Sequence, residues 1–471
     1  MNKTLFGALL VVICLAVGSA RAAAPSVELP PVFLTDLPIA VSVTDAGDLP
    51  LKLVVDGESV FEGMAEDGQV LAEIALSTFG HTDIELLQQG ERLEHWQVPV
   101  IPAWASLLPP LLAITLAFML RAVIPALFAG IVVGAWAVNG LTLEGGIKAV
   151  FDAMAVYLLD ALADPDHAAI LIFTMTIGGM VGVVSRNGGM LGIVNRALQV
   201  AKTPRKGQAV IAGLGLTIFF DDYSNTLIVG NATRPMSDHL KISREKLAYL
   251  VDSTAAPVAS VAIITTWVGF QVGLIEESIA SIDGLGQAAY AMFLHSIPYS
   301  FYPFLALLLV GLVVFTGKDF GPMYAAERRA RETGAVTRVD AEQTGDRQMD
   351  DFREKEGIPC RAMNALVPIG CLVAGVIGGM AISGEGDSIQ EVVGSADTYV
   401  VLIWASLLAC VVAFTMTLAQ RLLTLDETVE AWVIGARFML TGLLLLVLAW
   451  AIADVTRVLQ TAPYLISVLG D

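Results

Sequence analysis

The sequence predicts an α-helical polytopic membrane protein with a re-entrant hairpin, preceded by a small exported all-β domain. Three observations carry this reading. The 471 residues are 55% hydrophobic and 15% charged, with a mean hydropathy of +0.70, which is unlike a soluble domain of that length. Several apolar runs have roughly the 17 to 25 residues that cross a bilayer. Between residues 25 and 100 the pattern changes to short alternating stretches separated by turn residues.

Residues 1–24 read as a secretory leader, with Lys3 as the positive region, Leu5 to Val17 as the apolar core and Ala20-Arg21-Ala22 as the cleavage site. An uncleaved first span is the other reading. Residues 25–100 follow, with "AVSVTD", "LKLVVDG", "VLAEIAL" and "TDIELLQQGERLEHWQVPV" as strands and Asp56-Gly57 and Gln89-Gly90 as turns. This stretch holds 14 Asp/Glu against two Lys/Arg, so it carries most of the net charge of −19. It reads as an extracytoplasmic domain of unknown partner, or as a solvated spacer. Such a balance excludes nucleic acid as a partner, because phosphate binding needs Lys and Arg. The four cysteines are too few and scattered for a disulfide framework or a thiolate metal site.

Spans are expected at about 104–120, 122–138, 168–184, 208–232, 249–275, 288–316, 364–382, 398–418 and 433–453. With residue 100 outside, the positive-inside rule holds through the third span. The loop 139–167 carries Asp152, Asp160, Asp164 and Asp166 outside, and Arg186, Arg196, Lys202, Arg205 and Lys206 fall inside. If 208–232 crossed, Arg234, Lys241, Arg244 and Lys246 would lie outside. If it enters and returns as a hairpin, they stay cytoplasmic and the rest of the chain agrees. Residues 101–316 then form a first membrane repeat. Residues 317–362, with nine Lys/Arg and ten Asp/Glu, form a cytoplasmic linker, and 363–471 a second, partial repeat.

The hairpin carries "FFDDYSNTLIVGNATRP", residues 219–235. A charge at mid-membrane costs from about 2.5 to more than 10 kcal/mol, and free backbone survives there only where protein or a cavity satisfies it. The carboxylates at membrane depth are Asp221, Asp222 and Asp252. Residues 208–220 and 224–232 read as two half-helices with an unwound centre, where carbonyls and hydroxyls coordinate a cation. Ser224, Asn225 and Thr226 supply short oxygen ligands suited to Na⁺, unless Asp222 or Ser224 serves only as a helix cap. In "DSTAAPVAS", Pro257 leaves the Ser253 carbonyl without its helical partner, so Asp252, Ser253 and Thr254 read as a second half of the site. The other reading there is a capped, kinked helix start. The Na⁺ ligands expected are Asp221, Asp222, Asn225 and Asp252. A desolvated carboxylate holds either a proton or, ionised, a Na⁺, and mutual exclusion of the two suffices for exchange. His295 reads as a hydrogen-bonded packing residue, and Gly178, Gly179 and Gly182 as close helix packing. No nucleophile–base constellation suggests an enzyme.

Residues 219–275, "FFDDYSNTLIVGNATRPMSDHLKISREKLAYLVDSTAAPVASVAIITTWVGFQVGLI", closely resemble the core signature of the NhaC-type Na⁺/H⁺ antiporter family. A weaker resemblance runs from about 105 to 453. Ser224-Asn225-Thr226 also resembles the hairpin tip of divalent-anion/sodium symporters in the same superfamily. The resemblance implies two inverted repeats, each with a re-entrant hairpin, and an elevator-like motion. It also implies a second hairpin rich in Gly, Ser and Thr, which "TAPYLISVLGD" at the end of this sequence does not supply, so the chain reads as C-terminally truncated. The expected activity is Na⁺/H⁺ antiport across the cytoplasmic (inner) membrane, with no cofactor beyond the transported ions. The expected partners are the lipid bilayer, Na⁺, H⁺ and a second copy in a homodimer. The alternatives are a Na⁺-coupled carrier of an organic anion or amino acid, and a sensor acting through residues 25–100.

Overall fold

The computed structural model describes residues 26–44, 50–64, 70–219, 222, 225–226, 229–230, 233–263, 265, 267–280, 288–338, 354–386, 392 and 395–470. The leader therefore lies outside the described residues, as do Asp221, Ser224 and Asn231. The chain divides into two compact units, residues 1–162 with 445–471, and residues 163–444.

The first unit begins with eight strands: β1 (Ser26–Glu28), β2 (Phe33–Leu34), β3 (Ile39–Thr44), β4 (Leu51–Val55), β5 (Glu58–Gly63), β6 (Val70–Ile74), β7 (Gly80–Gln88) and β8 (Glu91–Ile101). They form a three-stranded sheet, β1-β3-β6, and a five-stranded sheet, β2-β8-β7-β4-β5. All pairs are antiparallel except β2 with β8. The alternation sets the core: Leu51, Leu53 and Val55 on β4 and Ile84 and Leu86 on β7 are buried. Both expected turns form. Asp56 and Gly57 have φ of +48° and +85°, and Gln89 and Gly90 of +53° and +86°, the paired positive φ of a tight hairpin.

Two apolar helices follow, α1 (Leu108–Leu120) and α2 (Val123–Val138). The stretch 139–167, expected as a loop, is largely helical: α3 (Leu143–Asp152), a π-helical turn (Ala153–Leu158) and α4 (Leu159–Ala163). Its buried residues recur every four positions, at Gly145, Ala149, Ala153, Tyr157 and Ala161, which is one face of a helix. The acidic residues that suggested a loop stand off that face.

The second unit opens with α5 (Pro165–Arg186), α6 (Gly189–Leu198) and α7 (Pro204–Thr217). Next come α8 (Arg234–His239), α9 (Arg244–Val261), α10 (Val268–Ala280) and α11 (Ala289–Ser296). Then follow α12 (Phe301–Thr316), α13 (Gly321–Thr333), α14 (Met363–Ser383) and α15 (Thr398–Ala419). Helix α16 (Leu425–Val458) runs on into the first unit, which ends with α17 (Thr461–Leu469). Among the described residues six stretches are long and apolar enough to cross a membrane: Ala103–Leu120, Pro165–Arg186, Phe301–Thr333, Met363–Ser383, Thr398–Ala419 and Leu425–Val458. The protein is thus an α-helical membrane protein with an N-terminal β-rich segment.

The glycines of α5 pack as expected. A Cβ on Gly178 would lie 2.9 Å from the Gly435 carbonyl oxygen, and one on Gly182 would overlap the Ala431 carbonyl and come within 3.0 Å of Gly435 Cα. Helices α5 and α16 meet there at backbone distance, which only glycine permits. His295, in contrast to its expected packed role, is exposed.

Candidate functional site

Helix α7 starts on Thr203, whose hydroxyl accepts from the Lys206 amide, and it ends where the polar stretch begins. Ile218 leaves helical geometry, with φ −97° and ψ 66°, and Asp222, Asn225, Thr226, Val229 and Gly230 are helical again. The break comes earlier than expected: the half-helix read to residue 220 ends at Thr217, and Asp222, expected in the unwound centre, is helical. A helix that stops inside an apolar environment leaves its last carbonyls without amide partners. Asn225, fully buried, supplies them: its Nδ2 donates to the carbonyls of Gly215 (2.7 Å) and Ile218 (2.9 Å). Both partners are pure acceptors, so the amide orientation is determined. Its Oδ1 therefore points elsewhere, and among the described residues no donor reaches it.

Gly215 has a second task. A Cβ there would overlap Thr254 Oγ1, so the missing side chain lets α9 approach α7 at this level. Thr254 is buried and donates its hydroxyl to the carbonyls of Leu250 (2.8 Å) and Val251 (3.1 Å) in its own helix. It packs the site rather than offering a free donor to it.

The second half of the site differs from the expectation. Helix α9 runs unbroken through Pro257, which lies inside it, and the interruption comes later. Ala262 is extended, with φ −74° and ψ 142°, and α10 begins at Val268. The expected span 249–275 is therefore two helices separated by 262–267. Thr265, fully buried, starts α10, and its Oγ1 accepts from the Trp267 amide at 3.2 Å. Tyr290 of α11 donates its hydroxyl to the freed Ile263 carbonyl at 2.8 Å. The two breaks are joined directly: Trp267 Nε1 donates to Asp222 Oδ1 at 3.0 Å.

The structure thus brings Asp222, Asn225 and Thr254 to one neighbourhood with Gly215, Thr265, Trp267 and Tyr290. Asp221 and Ser224 lie outside the described residues. Thr226 and Asp252 are exposed and Ser253 is half-buried. Two residues along a helix turn about 200°, so Asp252 and Thr254 face opposite ways. Among the described residues no hydrogen bond joins Asp252 to Asp222 or Asn225. Nor do three His, Cys, Asp or Glu side chains gather among the described residues as a metal site would require. The second break went unseen because "AIITTWVGF" reads as a continuous apolar run; the adjacent Thr265-Thr266 was its signal. Gly215 and Tyr290 carried no signal.

Among known families, residues 258–470 match the model of the Na⁺/H⁺ antiporter family. The match takes in Thr265, Trp267 and Tyr290 and begins after Asp222 and Asn225. A protein of Haemophilus influenzae, described as uncharacterized, is 25% identical over 378 residues, covering 78% of this chain and 69% of the relative. No solved structure matches the chain. Over these residues, somewhat under half of its length, this membrane protein is similar to the Na⁺/H⁺ antiporter family.

Proposed function

We propose that the protein exchanges Na⁺ for H⁺ across the cytoplasmic membrane at its paired helix breaks. The observation that carries this reading is the buried Asn225 Oδ1, which no described donor reaches, one turn from the carboxylate of Asp222. An oxygen left unpaired in a buried site costs free energy, and a hard cation with oxygen ligands relieves that cost. Asp222, with the neighbouring Asp221, supplies the negative charge, and Asn225 supplies a neutral oxygen. Ser224 and Thr254 complete the polar surroundings in this reading, and the exposed Thr226 and Asp252 and the half-buried Ser253 take no part in it.

Exchange follows from competition. The ionised carboxylate attracts Na⁺, and its protonated form does not. If the site opens to one side at a time, each Na⁺ that leaves is replaced by a proton going the other way. Trp267 has a fixed part in this: its N–H holds one Asp222 oxygen, leaving the carboxylate a single orientation for either occupant. Residues 208–232 act as a re-entrant hairpin and move with their packing partners in an elevator-like step, with residues 25–100 on the extracytoplasmic side. The family match and the two helix breaks support this reading.

Everted vesicles containing the full chain test it. Added Na⁺ should dissipate a pre-formed pH gradient, and Asp222→Asn should abolish that response. A wild-type protein with no Na⁺-dependent response overturns the proposal, and Na⁺-dependent uptake of a labelled organic anion would replace it.

A further inference from the structure

The proposed exchange makes no use of a buried charge cluster at the base of α9. Lys246 is fully buried, and its ammonium pairs with Asp319, whose side chain is 5% exposed. Arg331 stands 4.0 Å from the other Asp319 oxygen and 3.2 Å from Glu327. Glu327, also buried, accepts from the amide and the hydroxyl of Ser243, each at 2.8 Å, and that same hydroxyl caps α9 through the Lys246 amide. Arg329 grips both oxygens of Glu245 at 3.0 and 2.8 Å, and the Arg244 amide donates to the Val336 carbonyl at 2.9 Å. Residues 319–336, expected as part of a cytoplasmic linker, therefore fasten the first turn of α9.

A buried ion pair adds little net stability over an apolar pair of the same size. What it supplies is a directional contact at one point. Thr254 stands eight positions after Lys246, about 12 Å along a continuous helix. Thr254 fits the notch at Gly215, and the Gly215 carbonyl holds Asn225. A helix fixed at its base presents Thr254 at one height and one rotation, and apolar side chains in the same place would allow it to slip.

We propose that Lys246 and Asp319 are positioning residues. Their pair sets the height and rotation of α9 and, through Thr254 and Gly215, the placement of the Asn225 oxygen. The transport readout of this inference rests on the exchange reading above; its structural readout does not.

The test uses the full chain in proteoliposomes. Lys246→Met alone strands the Asp319 charge and is expected to fold poorly, so the deciding variant is Lys246→Met with Asp319→Leu, which removes both charges together. This double variant should be recovered in normal yield, with the KM for Na⁺ raised about tenfold and kcat within about twofold. Lys246→Arg should keep KM within about threefold of wild type. In parallel, spin labels at Gly213→Cys, where added atoms meet open space, and at the exposed Ala256→Cys report the α7–α9 distance, with the four native cysteines replaced. The distance distribution should broaden or shift in the double variant. An unchanged distribution overturns the inference, as does a shifted one with unchanged KM. If wild type shows no Na⁺-dependent exchange, the proposed function falls, and the spin-label distances still decide whether the pair positions α9.

Discussion

The break after α7 and the base of α9 are both polar regions inside the same unit, and they solve burial in opposite ways. At the base of α9 Lys246, Asp319 and Glu327 are buried as full charges, and each meets an opposite charge: Lys246 with Asp319, and Glu327 with the more exposed Arg331, beside the partly buried pair of Arg329 with Glu245. At the break the buried groups are neutral amides and carbonyls, and one of them, Asn225 Oδ1, is left over among the described residues. An uncompensated ion in a low-dielectric interior costs several kcal/mol, so buried ions there are found in pairs. An unpaired amide oxygen costs about 1–3 kcal/mol, which a fold can carry. The region richer in charge thus has its charges paired, and the quieter one leaves an oxygen without a described donor.

The comparison breaks most directly at Asn225. Asn225→Ala removes the partner of two buried carbonyls and should destabilise the protein by about 2–6 kcal/mol, since each unsatisfied group costs about 1–3 kcal/mol. Thermal unfolding in detergent, read beside Na⁺-dependent exchange, checks this. An Asn225→Ala protein with wild-type melting would show that the break does not depend on the amide.

A smaller effect is expected at Trp267. Trp267→Phe keeps the ring and removes the N–H donated to Asp222. One hydrogen bond to a charged group is lost, and a tenfold change in the KM for Na⁺ corresponds to about 1.4 kcal/mol. Kinetics in proteoliposomes should show that change without loss of yield. An unchanged KM would make the indole a packing group.

The smallest effect belongs to the fastening itself. Burial acts to raise the Glu245 carboxyl. The hydrogen bond from Arg329, a backbone hydrogen bond and the charges of Arg329 and Arg338 outweigh it and hold Glu245 below the usual carboxylate range. A depressed carboxylate stabilises the fold above its unfolded pKa of about 4.3, and that contribution is lost as pH falls through the folded value. Glu245→Gln should therefore lower stability at pH 7 by less than about 1 kcal/mol, as for a partly exposed pair. The gap should close as the pH falls below about 4. Melting curves of both proteins across that range would show it, and a gap constant with pH would remove Glu245 from the network.

Much of the architecture is legible in local pattern. The hairpin turns at Asp56-Gly57 and Gln89-Gly90, the backbone contact at Gly178 and Gly182 and the break before Asp222 all follow from residues adjacent in sequence. The misses share one cause. The Lys246–Asp319 partners are 73 positions apart, and a charge-balanced segment looks the same whether its charges face water or one another. The helical run from Leu143 to Ala163 was hidden because its buried face, apart from Tyr157, is built from Gly and Ala, which carry little apolar signal.

By itself, the sequence determines that the chain lies in a membrane and that a helix must fail near Asp222, because polar backbone and carboxylates are intolerable in a continuous lipid-facing span. Only the tertiary structure decides which oxygens are free. Asn225 Nδ2 is engaged by Gly215 and Ile218, Asp222 by Trp267 and the Ile263 carbonyl by Tyr290. Satisfaction of a buried polar group depends on neighbours that folding brings together, and no local pattern of residues specifies them.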